Sequence, residues 1–171
     1  TEAAGGTYDV LLRDGVTHAT ISGAAVRDAA PDMSGAPYPL VIISHGYPGN
    51  RFLMSHLGES LAARGYVAVS IDHTDSTYSD QAAFGSTLVN RPIDQMFVLD
   101  QMAKAGEAGG ALAGVVDASK TGLIGYSMGG YGAVISAGGG ISQAGVDLAW
   151  GAPEGLAGVN RAGSETHEAL I

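Results

Sequence analysis

The chain has no cysteine among its 171 residues. Disulfide staples and thiol chemistry are therefore excluded, and redox compartment cannot be read from cysteine usage. Cations are also scarce: 8 Lys and Arg stand against 17 Asp and Glu, for a net charge of −9. That balance offers no electrostatic footprint for nucleic acid or for an anionic membrane surface. No apolar run approaches the roughly 20 residues of a membrane span, so no transmembrane segment is expected. Internal repeats are absent, and Gly138-Gly139-Gly140 is the only low-complexity spot. The first residue is Thr1 rather than Met. A removed leader or a trimmed start would each explain that, and the expectation leans to a secreted or periplasmic protein.

The chain has the length for one domain with a real core, and its glycine content suits close helix packing and many turns. Residues 8–12 and 17–22 alternate around Arg13-Asp14-Gly15, which predicts a hairpin. A loop with three prolines over residues 29–39 leads into an apolar strand at residues 40–43. Residues 53–64 read as a helix stopped by Gly65, and residues 66–71 as the next strand. A long polar loop over 72–88 follows. Asn90 then reads as a helix N-cap with Pro92 in the first turn, and Ile93, Met96, Phe97, Leu99 and Met102 are spaced for a buried face.

The chemistry concentrates in Gly125-Tyr126-Ser127-Met128-Gly129. A bare Gly-x-Ser-x-Gly says little in a chain with 27 glycines. Here it follows the apolar run 121–124 and precedes a small-residue helix, which are the flanks of a nucleophile elbow. Such a turn lifts the serine hydroxyl to the top of a sheet, where the helix dipole favours developing negative charge. An acyl-transfer site also needs two backbone N–H donors aimed at the oxyanion, each worth about 3 kcal/mol of transition-state stabilisation. Met128, directly after the serine, supplies one candidate. Tyr47, in the His45-Gly46-Tyr47-Pro48-Gly49 loop behind the earlier strand, supplies the other.

Three stretches carry a family resemblance. They are His45-Gly46-Tyr47, the strand 66–71 with Asp72-His73-Thr74-Asp75-Ser76, and residues 116–130 through the elbow. Over about residues 38–138 the chain resembles α/β-hydrolase esterases near dienelactone hydrolases, platelet-activating-factor acetylhydrolases and polyester-degrading cutinases. The resemblance implies an α/β-hydrolase fold, a mostly parallel sheet with helices on both faces. It further implies carboxylic-ester hydrolysis through an acyl-enzyme on Ser127. In the cutinase branch the oxyanion donors fall on a Tyr after a Gly and on a Met after the nucleophile, matched here by Tyr47 and Met128. No cofactor or metal is implied.

The family orders its triad Ser, then Asp or Glu, then His, on loops well past the elbow. After Ser127 this chain offers Asp147, Glu154, Glu165, His167 and Glu168, without a strand-like run before His167. His167 is accordingly expected to be a polar tail or insertion residue and not the base. The fold is expected to be incomplete in this chain, residues 1–171 forming the N-terminal part of a single domain. Within it, 1–39 would be the hairpin and loop, 40–138 the core, and 139–171 the start of an insertion or lid, or a cleaved tail. The triad Asp and His would come from sequence beyond residue 171, in a companion C-terminal chain of the same protein.

Other residues carry weaker readings. His45 is expected to pack beneath the oxyanion loop in a structural role, and Asp72, His73 and Asp75 to cap loops or orient the site rather than bind metal. Tyr47 and Trp150 could wall an acyl or aryl pocket, with Trp150 equally readable as a core anchor. Two alternatives to the esterase stay open: a non-catalytic binding domain on the same fold, and an acyltransferase or thioesterase using the same elbow.

Overall fold

The computed structural model describes residues 5–81 and 84–140. The alternating N-terminal runs pair as an antiparallel hairpin, β1 (Thr7–Leu11) with β2 (His18–Ser22), turned by Asp14 and by Gly15 at φ +74°. Asp14 holds that turn by accepting from the Val16 and Thr17 amides.

A three-stranded parallel sheet forms the body, with β3 (Tyr38–Ser44) between β4 (Val67–Ser70) and β5 (Val116–Gly125). The central strand is the most apolar, as burial on both faces demands. Leu40 and Ile42 face a core with Val67, Val69, Val98 and Val116. On the opposite face Ile43 and Ala68 lie against Gly58 of α1 (Ser55–Ala62). Helices thus cover both faces, with α2 (Phe84–Gly106) on the Leu40 and Ile42 side. The short helix α3 (Met128–Val134) and a π-turn at Ile135–Gly139 follow β5.

Strand order positions the site. The chain steps from β3 to β4 on one side and then crosses to β5 on the other. The carboxyl ends of β3 and β5 therefore lie side by side where the winding reverses, with Ser44 paired to Gly125. Open α/β sheets bind their ligands at such a reversal.

The α2 helix departs from expectation in two ways. It begins at Phe84, so Asn90 is an interior residue and no cap, and Pro92 lies inside the helix. Proline removes the donor that the carbonyl four residues back would use, here that of Leu88. The Tyr131 hydroxyl donates to that carbonyl instead, at 3.2 Å, so the helix runs through the proline. The buried face also differs: Leu88, Arg91, Gln95 and Val98 are buried, whereas Ile93 and Phe97 are exposed. Polar carbonyls on the facing loops select Arg91 and Gln95 for the inside, which apolar spacing alone does not reveal.

Candidate active site

Ser127 stands exposed between β5 and α3, at φ +54° and ψ −116°. A residue other than glycine in this region costs of order 1–3 kcal/mol, a strain characteristic of functional turns. The turn closes only because its neighbours lack side chains. A Cβ on Gly125 would lie 2.2 Å from the Gly129 carbonyl oxygen, and one on Gly129 would lie 2.1 Å from that of Ser44. The Tyr126 amide donates to the Ser44 carbonyl at 3.0 Å, tying the elbow to the end of β3.

The loop after β3 reaches the same point. A Cβ on Gly46 would be 3.1 Å from the Ser127 Cβ, so Gly46 lies directly against the serine and Tyr47 follows it. Tyr47 is held by its hydroxyl, which donates to the Gln81 carbonyl at 2.6 Å, and by its ring, edge-on to Phe84 at 4.9 Å. Among the described residues, neither the Tyr47 nor the Met128 amide donates to a turn, loop or side-chain acceptor. The arrangement places an exposed hydroxyl at a helix start, beside a loop with an uncommitted amide.

Beneath these loops lies a buried polar network that sequence reasoning missed. The Ser44 hydroxyl is 2.8 Å from His73 Nε2, and His73 Nδ1 is 2.8 Å from Asp94 Oδ2. These are triad-like contacts, but Ser44 and His73 are fully buried and Ser44 cannot meet a substrate. Burial lowers the His73 pKa against the opposing pull of Asp94. Neutral His73 then carries its proton on Nδ1 towards the carboxylate and accepts from Ser44 at Nε2.

His45 is likewise buried and structural. Its Nδ1 donates to the Gly46 carbonyl at 2.6 Å, and its Nε2 accepts from the His73 amide at 3.3 Å. Both ring nitrogens are thereby committed to one neutral tautomer, and burial pushes the pKa down to about 4. From α2, Arg91 donates to the His45 carbonyl at 2.5 Å and to the Ser76 hydroxyl. Gln95 donates to the Gly129 carbonyl at 3.0 Å. The signal that could have found this row was Arg91, Asp94 and Gln95 at helical spacing within an otherwise apolar run.

The polar cluster after β4 does not converge. Asp72 accepts from the Arg51 amide at 2.6 Å, His73 turns inward, and the Asp75 amide donates to Asp80 at 3.0 Å. Trp150 and His167 lie outside the described residues.

Comparison with known proteins fits this geometry to a family. A family model described as "PETase: PET hydrolase-like" matches residues 1–154. The chain belongs to the PET hydrolase-like family. Its fold is therefore the α/β-hydrolase fold, and the described residues show a partial sheet of it, with three parallel strands and helices on both faces. The chain is 33% identical over 95 residues to cutinase est2 of Thermobifida alba, a match covering 56% of this chain and 28% of that protein. To a cutinase of Thermobifida fusca it is 33% identical over 95 residues, covering 56% and 27%. To the platelet-activating factor acetylhydrolase of Canis lupus familiaris it is 36% identical over 50 residues, covering 29% and 11%. The match thus spans less than a third of each cutinase. Among the described residues, no helix of this family member is long and apolar enough to cross a membrane.

Proposed function

We propose that this chain carries the nucleophile half of a serine carboxylic-ester hydrolase. Ser127 attacks the ester carbonyl, the Tyr47 and Met128 amides hold the resulting oxyanion, and water releases the acid from the acyl-enzyme. The observation that carries the reading is the positive φ of exposed Ser127, maintained by two glycines that admit no Cβ. Strain of this kind survives only where the surroundings over-determine it, and an elbow that presents a hydroxyl is its familiar use. Membership of the PET hydrolase-like family and similarity to cutinases support an ester as substrate.

The general base is not one of the two buried histidines, whose ring nitrogens are all engaged. His18 is paired with Asp9 on the hairpin, and His56 is exposed on α1. The triad Asp and His are assigned to sequence beyond residue 171, where the family order Ser, acid, His would place them. That sequence would form the companion part of the same hydrolase, and a secreted setting suits a cutinase-like activity on external esters.

A fluorophosphonate probe should label the intact protein at Ser127, and Ser127→Ala should abolish hydrolysis of short p-nitrophenyl esters. Labelling at another serine, or unchanged turnover in the variant, would refute the mechanism.

A further inference from the structure

We propose that Arg91 is a positioning residue for the oxyanion hole: with His45, its buried guanidinium holds the Gly46 carbonyl inward and so turns the Tyr47 N–H out towards Ser127. The inference rests on Ser127 as nucleophile and Tyr47 as oxyanion donor.

Arg91 is otherwise hard to explain. It is fully buried, and among the described residues no carboxylate comes within ion-pairing distance of it. Its Nε has no hydrogen-bond partner there. Burial lowers its pKa only to about 10, so the group stays charged at neutral pH. A buried cation without a paired anion is retained against a desolvation penalty, which calls for a compensating use. Its donors are spent on two neighbouring loops: Nη1 on the His45 carbonyl at 2.5 Å and Nη2 on the Gly46 carbonyl at 3.4 Å, both after β3, and Nη2 also on the Ser76 hydroxyl after β4.

The Gly46 carbonyl belongs to the same peptide unit as the Tyr47 amide. Gly46–Tyr47 is trans, so its C=O and N–H point in opposite directions. Fixing the carbonyl inward fixes the amide outward. His45 Nδ1 supplies the short contact to that oxygen at 2.6 Å, and Arg91 backs it while clamping the preceding carbonyl. Two successive peptide planes, His45–Gly46 and Gly46–Tyr47, are therefore each held at their oxygen. A guanidinium on the carbonyl side also polarises the amide, since linked hydrogen bonds strengthen one another in a low-dielectric site. Preorganisation of this kind matters most when charge develops on the substrate oxygen, so it should act on kcat rather than on ground-state binding.

The test compares the intact protein with Arg91→Met and Arg91→Lys, measuring kcat and KM on p-nitrophenyl butyrate and solving the structure of each variant. Arg91→Met should lower kcat about 100-fold, the scale of one lost oxyanion donor, with KM within about 3-fold of wild type. Arg91→Lys keeps the charge but cannot fork to two carbonyls and should fall between. In both structures the Gly46–Tyr47 peptide should rotate. Should Arg91→Met fail to fold, Arg91→Lys decides. Wild-type kcat in the folded variants, or a loss confined to KM, overturns the proposal. If fluorophosphonate does not label wild-type Ser127, the hydrolase reading falls, and an unrotated peptide in Arg91→Lys overturns the clamp independently.

Discussion

Ser44 ends β3 and Ser127 lies just past the end of the adjacent β5, yet their surroundings differ. Ser44 has the His and Asp partners that a nucleophile would want but no access to solvent. Ser127 has access and strain. Distances alone would nominate Ser44, and burial is what favours Ser127 in the proposed reading. The two histidines behind Ser44 carry a pH signature. His45 is held neutral with its pKa lowered from 6.5 to about 4, and burial lowers that of His73 too. The unfolded chain therefore binds more protons than the folded one as pH falls below 6.5. The stabilisation is fully present above about 6.5 and is lost progressively as pH falls through about 4. By linkage His45 alone accounts for about 3 kcal/mol of it. Urea unfolding across that window should show the decline, and His45→Gln should flatten it. A stability independent of pH there would contradict the buried neutral tautomer. At this scale Ser127, Tyr47 and Met128 could be nominated from the sequence because motif spacing fixes their place on the chain. For Arg91 the sequence offers only its helical spacing with Asp94 and Gln95, and a cation on a helix reads as solvated until the carbonyls facing it are known.

The α2 helix shows where element-level reading fails. Pro92 invites a helix start, because an interior proline usually breaks the backbone. Its cost is offset by a residue on another element, the Tyr131 hydroxyl on the Leu88 carbonyl. No local pattern encodes that contact, so the start of the helix lies earlier than expected; of the expected face, Leu99 and Met102 pack on the core while Ile93 and Phe97 are exposed. Burial pushes the Tyr131 pKa up to about 12, so its hydroxyl remains protonated and able to donate. Tyr131→Phe should therefore destabilise by about 1–2 kcal/mol, the penalty of a buried carbonyl left without its donor. Pro92→Ala restores a backbone N–H at the position that regular helix geometry directs to Leu88. In that background the same Tyr131→Phe change should cost measurably less. Chemical denaturation of the four proteins gives the coupling, and a strictly additive cycle would show that Tyr131 does not stand in for the missing donor. The strands, by contrast, were legible. Continuous apolar runs and punctuating glycines need no distant partner to be recognised, and the three parallel strands fall close to where those runs lie.

For the whole molecule, the proposed mechanism needs a group that takes the proton from Ser127. In the proposed reading none of the four described histidines is the base. His45 and His73 are locked beneath the loops, His18 sits on the hairpin, and His56 projects from α1, which packs on the sheet face opposite α2. His167 lies outside the described residues, and its sequence context lacks the strand that normally delivers a triad histidine. The cutinase match spans less than a third of those proteins. The 171-residue chain, refolded alone, should then hydrolyse p-nitrophenyl butyrate at least about 10⁴-fold more slowly than a polypeptide continuing past residue 171, because loss of the general base removes most of the acceleration. The residual rate should depend on Ser127 and be indifferent to His167→Ala. Adding in trans a polypeptide that carries the proposed acid and base should restore both activity and rapid fluorophosphonate labelling. An undiminished rate from the lone chain, lost on His167→Ala, would make His167 the base and place the whole triad within these 171 residues.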